Sequence, residues 1–453
     1  MKMDLSDAAR IVGGSLNDPD VLFSSVSIDT RKLKPGDLFV AIRGKKFDGH
    51  DFLEAAADCG AVAAMVDREA ISKLPVVRVE DTRIALGELA ADWRKRCAIP
   101  VIGVTGSNGK TTVKEMVAAI FAVAGDVLYT QGNLNNDIGV PLTLLRLQNN
   151  HRYAVIEMGA NHRHEIAYTA SLAQPDVSII TNAGSAHLEG FGDLDGVARA
   201  KGELIEGLTD SGTAVLNIDD RFFGFWKQLA GNNRVIAFGL DNSADVKAKN
   251  IEMRWTKDGF ANRFVLCFEG SETPIHLRLA GRHNVCNALA ASAAAFALGV
   301  GCEQIKKGLE GLVPVHGRMQ PVAGRHGSLL IDDTYNANPS SFTAAIDVVS
   351  QLPGELWVIL GAFAELGERS EALHEAVGLY AKNHGIRHLF ATGTAAVKAV
   401  ESFGDGGIYF ENQDALIETS ESMLHGKVVA LVKGSRSQQM ERVVEKLRAK
   451  VLN

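Results

Sequence analysis

The chain has 453 residues, and at about 150 residues per domain that length predicts three domains rather than one core. Its 47 basic and 54 acidic residues leave a net charge of −7, which argues against a surface built to embrace nucleic acid. An apolar content of 46% excludes a mostly disordered chain.

Residues 1–96 carry short β-branched runs, DLFVAI, AVAAMVD and VVRVED, and end in a helical run over 82–96. Cys97-Ala98-Ile99-Pro100 then breaks the pattern and marks a boundary. Strands are predicted at 101–106, 153–159, 176–184, 212–219 and 234–240, with helical periodicity between them, as over 111–124 and 194–208. That alternation signals βαβ units and a parallel sheet. Between 244 and 280 the helices vanish and period-two segments appear, DVKAKNIEMRW, FANRFVLCFEG and PIHLRLAG. They predict an antiparallel extension of the sheet. Helices follow over 284–298 and 303–311, and VPVHGRMQPV reads as a connector. After residue 320 the alternation restarts with SLLIDDTY, LWVILGAF, RHLFATG and KVVALVKG, which predicts a third, small parallel sheet. The fold class is therefore α/β in three domains, drawn at 1–97, 98–312 and 313–453.

The five cysteines are scattered, odd in number and free of any CxxC pair, so neither a disulfide framework nor a zinc ribbon is expected. No apolar run behind a basic start suggests a secretory signal. The longest apolar stretch, 288–300, is too short and alanine-rich to span a bilayer. A soluble protein of the cytoplasm, with no membrane insertion, is the expectation.

The most informative motif is GVTGSNGKTT at 103–112, entered by a buried strand and left by a helix. Gly106, Ser107, Asn108 and Gly109 would fold backbone N–H groups around phosphate oxygens at a helix N-terminus. Lys110 would reach the β and γ phosphates, and Thr111, followed by Thr112, would offer a hydroxyl to Mg²⁺. The usual GxxxxGK[ST] pattern is not fully met, because Val104 replaces the first glycine. The loop is not GxGxxG either, which disfavours a dinucleotide oxidoreductase. Glu157 ends a predicted parallel strand, where a crevice ligand belongs, although any strand end can carry a carboxylate. His187 lies just past another strand end. Lys201 falls on a helix, where a solvent-facing lysine is the ordinary reading. Arg31, Lys32, Lys34, Arg43, Lys45 and Lys46 form a local basic cluster in an acidic chain, suited to a diphosphate.

Together these pieces resemble the Mur ligases, the ATP-dependent amide-bond enzymes of peptidoglycan synthesis. SIDTRKLKPGDLFVAIRGKKFDGHDF at 27–52 is similar to the family's N-terminal substrate motif, and GVTGSNGKTT to its phosphate loop, valine included. TQGNLNNDIGVP at 130–141, IEMGANHRHEI at 156–166 and TNAGSAHLEGFG at 181–192 resemble the central motifs. GRHNVCNALAA at 281–291 and HGRM at 316–319 resemble the adenine and hinge motifs. DDTYNANPSS at 332–341 and KGSRSQQME at 433–441 resemble the C-terminal ones. One departure is GAFAELG at 361–367, where Ala362-Phe363 stands in place of the Asp-Met common in the family.

The resemblance implies a small N-terminal UDP-sugar-binding domain, a central ATP-binding P-loop domain and a C-terminal Rossmann-like ligase domain. It implies that Glu157 and His187 ligate two Mg²⁺ ions and that Lys201 is N-carbamylated, becoming an anion that two cations can accept. Asn284 would contact adenine, Arg318 the γ-phosphate and Asp333 the ribose side. Thr30, Arg31, Asp48, His50, Asn133 and Asn136 would bind the UDP-N-acetylmuramoyl-tripeptide, while Asn336, Asn338, Ser435 and Arg436 would hold D-alanyl-D-alanine. A monomer is expected. One ligase alternative stays open, the enzyme adding the third peptide residue, which typically carries a DNPR-like motif where this chain has DDTYNANP; folylpolyglutamate synthase shares the loop, but the GHDF-type N-terminal segment argues against it. From another class, a P-loop ATPase switch would hydrolyse ATP without any amine.

Overall fold

The computed structural model describes residues 1–44, 46–185, 188–256, 259–313 and 315–449. Three large sheets follow one another along the chain, one per lobe, and a two-stranded antiparallel pair of Met3–Asp4 and Leu22–Phe23 adds to the first lobe.

The first sheet has five strands, in the order Ser15–Leu16, Val76–Arg78, Ala63–Val66, Asp37–Val40, Ser25–Ser27. All neighbours run parallel except the first pair. Its last helix, Thr82–Arg96, starts where the Asp81 carboxylate accepts the N–H groups of Arg83 (2.7 Å) and Ile84 (3.2 Å). It ends in Arg94, Lys95 and Arg96, cations that suit the negative end of a helix. Arg94 is buried and reaches out of its lobe. Its Nε donates to Ala173 O (2.9 Å), and its guanidinium also meets Gln174 O and Cys97 O. The domain junction is thereby pinned by charge-assisted hydrogen bonds.

The second sheet has nine strands, ordered Ser271–Leu277, Gly259–Phe268, Val246–Thr256, Arg234–Gly239, Thr213–Asn217, Val177–Ile180, Val101–Thr105, His151–Glu157, Asp126–Tyr129. From Asp126–Tyr129 through Val246–Thr256 the pairing is parallel, and the last two ladders are antiparallel. The period-two segments therefore extend the sheet as expected. Alternate residues of the central strands enter two different cores. Val101, Ala154 and Ile156 join Ile166 and Leu204, whereas Ile102, Val104 and Val155 join Val113, Val117 and Val285. The first of these cores also takes in Leu5, Phe23, Leu38, Leu86 and Leu89, so the first two lobes share one apolar interior.

Strand Val101–Thr105 lies between Val177–Ile180 and His151–Glu157. The chain passes to one side of it and then to the other. At such a switch point the connections diverge and leave a crevice beyond the C-terminal strand ends.

The third sheet has six strands in the order Gln320–Ala323, Leu329–Asp333, Val428–Lys433, Glu355–Gly361, His388–Thr392, Gly407–Phe410. Five are parallel, and Gln320–Ala323 adds an antiparallel edge. That edge strand corrects the reading of this segment as a plain connector. Its residues pair with Leu329–Asp333 through backbone groups alone, and Gln-Pro-Val-Ala has no alternation to announce it. Phe260 and Ala280 of the second lobe are buried among Phe342, Ala345, Ile346 and Val348 of the third, so the antiparallel extension also forms the bearing between these lobes.

Candidate active site

The strand Val101–Thr105 leads into the glycine loop and helix Lys110–Ala122 leaves it. Val104 is fully buried and pairs with Glu157 and Ile179 on either side. It belongs to the sheet rather than the loop, which explains the departure from GxxxxGK[ST]. The loop proper starts at Gly106, whose φ is +145° and whose Cβ would stand 1.9 Å from Thr181 Oγ1. Gly109 has φ +83°, and a Cβ there would sit 2.5 Å from Asn287 Oδ1. Both positions require glycine.

The loop is braced from the next strand end. Ser107 N–H donates to Asn182 O (3.0 Å), Asn108 N–H to Asn182 Oδ1 (3.0 Å), and Thr181 Oγ1–H to Asn108 O (2.6 Å). Lys110 Nζ folds back onto Gly106 O (2.6 Å), the contact that a bound phosphate would exchange for its own oxygens. Burial lowers its pKa, Glu157 opposes that shift and Arg318 adds to it.

A cleft of about 1130 Å³ opens over this loop. Ser107, Asn108, Gly109, Lys110, Thr111 and Thr112 line it, with Asn133, Asn136, Glu157, Asn284, Arg318, Asp333, Asn336, Asn338 and Arg436. Residues from all nine of those sequence positions outside the loop thus converge from the second and third lobes. Glu157 is 2% exposed. Its Oε1 accepts Asn135 Nδ2–H (2.8 Å) and Thr111 Oγ1–H (3.4 Å), and its Oε2 is buried with no hydrogen-bond partner among the described residues. An orphaned carboxylate oxygen beside a hydroxyl fits a hard cation. No three His, Cys, Asp or Glu groups form a metal cage among the described residues. Mg²⁺ asks for none, since it takes one or two carboxylates and completes its shell with water and phosphate.

Lys201 is 1% exposed, and its Nζ has no hydrogen-bond partner among the described residues. Its ammonium position faces the Phe191 ring at 5.4 Å. Burial, with Lys110 as a second cause, lowers its pKa to about 7. A bare cation fits this place poorly, and a neutral amine or a carbamate fits it better. His187 lies outside the described residues, as does Lys45 of the basic cluster.

The third lobe meets the phosphate loop directly. Asn338 caps helix Pro339–Val349, its Oδ1 accepting Ser341 N–H (2.9 Å), while its Nδ2 donates to Asn108 Oδ1 (2.8 Å). Asn108 Nδ2 donates in turn to Ser340 Oγ (2.8 Å). Arg318 stacks on Tyr335 at 4.4 Å and donates to Thr111 Oγ1 (3.3 Å). Asp333 pairs with Lys433 at 2.5 Å, and Lys433 also donates to Asn336 O (3.1 Å). Asn284 donates to Ala280 O (2.7 Å) and accepts from Asn287 (3.0 Å).

Besides Gly106 and Lys201, five predicted residues do not line the cleft. Ser435 is 4% exposed, and its hydroxyl bridges Ala364 N–H (2.8 Å) and Ala337 O (3.2 Å), which holds two loops together. Thr30 is half-buried in the first lobe. Arg31 is exposed and grips Asp29 through two hydrogen bonds of 2.9 and 2.8 Å. Asp48 caps the turn Gly49–Phe52 and accepts His50 Nδ1–H (2.6 Å), while His50 Nε2 accepts Asp67 N–H (3.3 Å). Arg43 pairs with Asp67 at 2.6 Å. Much of the polar capacity of this stretch is spent on partners within its own lobe.

Sequence reasoning missed cleft residues Glu115, Asn135, His283, Asn287, Tyr335 and Lys433. Asn287 was findable, being three residues from Asn284 on one helix face. His283, whose pKa burial lowers, gave no signal of its own.

Known proteins agree with this geometry. Three family models match in order: "Mur ligase family, catalytic domain" over 22–94, "Mur ligase middle domain" over 104–295 and "Mur ligase, glutamate ligase domain" over 317–436. The UDP-N-acetylmuramoyl-tripeptide--D-alanyl-D-alanine ligase of Escherichia coli (strain K12) is 44% identical over 450 residues, 99% of this chain and 98% of that protein. A crystal structure of MurF from Acinetobacter baumannii superposes with a TM-score of 0.93 at 35% identity, covering 99% of both chains. The MurF ligase of Thermotoga maritima, solved in complex with ADP, gives a TM-score of 0.83 at 29% identity over 93% of this chain and 96% of that one. With the phosphate loop, the switch-point crevice and the converging third lobe in place along its whole length, the chain belongs to the Mur ligase family.

Proposed function

We propose that the protein joins D-alanyl-D-alanine to UDP-N-acetylmuramoyl-tripeptide at the expense of ATP, giving the pentapeptide precursor of peptidoglycan, ADP and phosphate. The observation that carries this reading is 44% identity over nearly the full length of a ligase of that name. DDTYNANP in place of a DNPR-like motif favours it over the ligase of the third residue. Residues 1–97 would take the UDP-sugar, 98–312 ATP, and 313–453 the dipeptide. ATP as substrate and the UDP-linked precursor support a cytoplasmic location, and no helix among the described residues is long and apolar enough to cross a membrane.

The chemistry follows from the groups around the cleft. An oxygen of the peptide's terminal carboxylate attacks the γ-phosphorus, the bond to the β-phosphate oxygen breaks, and an acyl phosphate and ADP result. The dipeptide amine, having lost a proton, then attacks the acyl carbon, and phosphate leaves as the amide forms. Positioning and charge neutralisation supply most of such a rate gain. Lys110 and Arg318 would neutralise phosphoryl oxygens, and the loop N–H groups would cradle the β-phosphate. Mg²⁺ bound by Thr111 and Glu157, and a second ion shared by His187 and a carbamylated Lys201, would screen the remaining phosphate charge. Asn284 and Asp333 would seat the nucleoside. Asn336, Asn338 and Arg436 would present the dipeptide, and Asn133 and Asn136 the muramoyl peptide. Closure of the third lobe would keep water from the acyl phosphate.

The test measures phosphate release with UDP-muramoyl tripeptide as each candidate amine is added. Release that depends on D-alanyl-D-alanine is expected. Release with neither the muramoyl peptide nor an amine present would revive the ATPase switch and defeat the ligase reading. Lys201 makes a separate expectation. Its amine is neutral above about pH 7, and only the neutral form captures CO₂. A ¹³C carbamate signal should therefore strengthen as pH rises through that value at constant dissolved CO₂, and should be absent from Lys201→Ala. Without CO₂ the same shift has a stability sign. The unfolded lysine keeps its proton up to 10.5 and the folded one up to about 7. Between those values the unfolded chain binds more protons, so stability rises with pH.

A further inference from the structure

Lys114 sits one helical turn beyond Lys110, yet it does not line the cleft. It is 1% exposed. A buried ammonium is costly unless its partners are exacting, and methionine would fill the same volume at less cost. Its partners are specific. Nζ donates to Thr130 O at 2.7 Å, pairs with Glu115 Oε1 at 2.6 Å and lies 5.4 Å from the Tyr129 ring centre.

Thr130 directly follows the edge strand Asp126–Tyr129 and is fully buried. Its N–H donates to Val155 O (3.0 Å), and its hydroxyl accepts Glu157 N–H at 3.0 Å. The backbone of Glu157 is thus held at this point by a side chain of the neighbouring strand. Thr130 also opens the loop that carries Asn135, the residue whose amide fixes Glu157 Oε1. Two of the supports of this carboxylate therefore start from one residue, and Lys114 anchors that residue to the phosphate-loop helix. Glu115, the other partner of Lys114, lines the cleft, so the same ammonium restrains a second carboxylate near the phosphates.

We infer that Lys114 is a positioning residue, a buried strut that sets Glu157 relative to Thr111 through Thr130 and so tunes Mg²⁺ binding. The inference rests on the nucleotide and metal reading above and adds a residue to it. Groups that orient metal ligands typically contribute about tenfold or more in metal affinity when removed.

The experiment measures binding of a non-hydrolysable ATP analogue to the full chain by calorimetry, in EDTA and across a Mg²⁺ titration. Lys114→Met and Thr130→Val should bind the analogue like wild type in EDTA. Both should need about tenfold more Mg²⁺ to reach half the metal-dependent gain. Because they act along one route, the double variant should need no more than the worse single one. Variants with an unshifted Mg²⁺ midpoint and a lowered melting temperature would reduce Lys114 to a structural lysine and overturn the inference, as would shifts that multiply. If Lys114→Met does not fold, Thr130→Val decides alone, and a wild-type midpoint there overturns it. A wild-type protein that gains nothing from Mg²⁺ would instead defeat the underlying metal reading.

Discussion

Lys110→Ala is expected to lower turnover about a thousandfold or more while the protein stays folded. The size follows from what the cation does at the moment of transfer. Charge grows on the bridging oxygen and is spread over the phosphoryl group, and a preorganised positive group there is worth several powers of ten. The fold should survive because Lys110 is held, among the described residues, by hydrogen bonds to loop carbonyls alone, Gly106 O at 2.6 Å and Ser107 O at 3.4 Å, each worth about 1.5–3 kcal/mol at most. The glycine loop remains braced by Thr181 and Asn182. Phosphate release measured beside circular dichroism separates the two effects. Near-wild-type release from a folded variant would refute the phosphate-loop assignment.

Lys433→Met should cost several kcal/mol of stability through the pair it breaks. Asp333 and Lys433 are 8% and 2% exposed and meet at 2.5 Å. Removing one member of a buried pair strands the other charge, at about 3–5 kcal/mol. Lys433 also donates to Asn336 O, so the loop that carries Asn336 loosens with it. Adding Asp333→Asn should recover much of the loss, because the stranded charge is gone and Met319 N–H can still find an amide oxygen in place of Asp333 Oδ1. Urea unfolding of the single and double variants checks this. Equal destabilisation by both would mean that the pair is not the cause.

The fold was readable where packing follows a period. Thr82–Arg96 has the predicted bounds, since Asp81 caps it and a proline follows soon after. The core strands of the second and third lobes lie within a few residues of their apolar runs, because a strand buried on both faces is apolar throughout. Edge strands were less visible. Asp126–Tyr129, Gln320–Ala323 and Gly407–Phe410 each have one ladder neighbour, and their side chains are mostly half-buried. The site divides the same way. Backbone-defined positions such as Gly106 and Gly109 were legible, because only one residue type fits them. Glu157 could be placed from the end of a strand. Ser435 could not, since a hydroxyl bound between Ala364 and Ala337 looks in sequence like one free for substrate. His50 and Asp48 were read toward ligand and turn to each other across two residues, a contact that Asp turn chemistry offered.

The apolar interior shared by the first two lobes has a thermodynamic consequence. Leu38, Leu86 and Leu89 belong to the same buried cluster as Val101, Ile156 and Leu204, so parting the lobes would open that cluster and they should lose structure as one cooperative unit. A ligand that binds only the native form lowers its free energy by mass action. When the two lobes melt together, a ligand held by the first protects the second as well. With the sugar nucleotide in the first lobe, as proposed above, that ligand would defend the phosphate loop against unfolding before any ATP arrives.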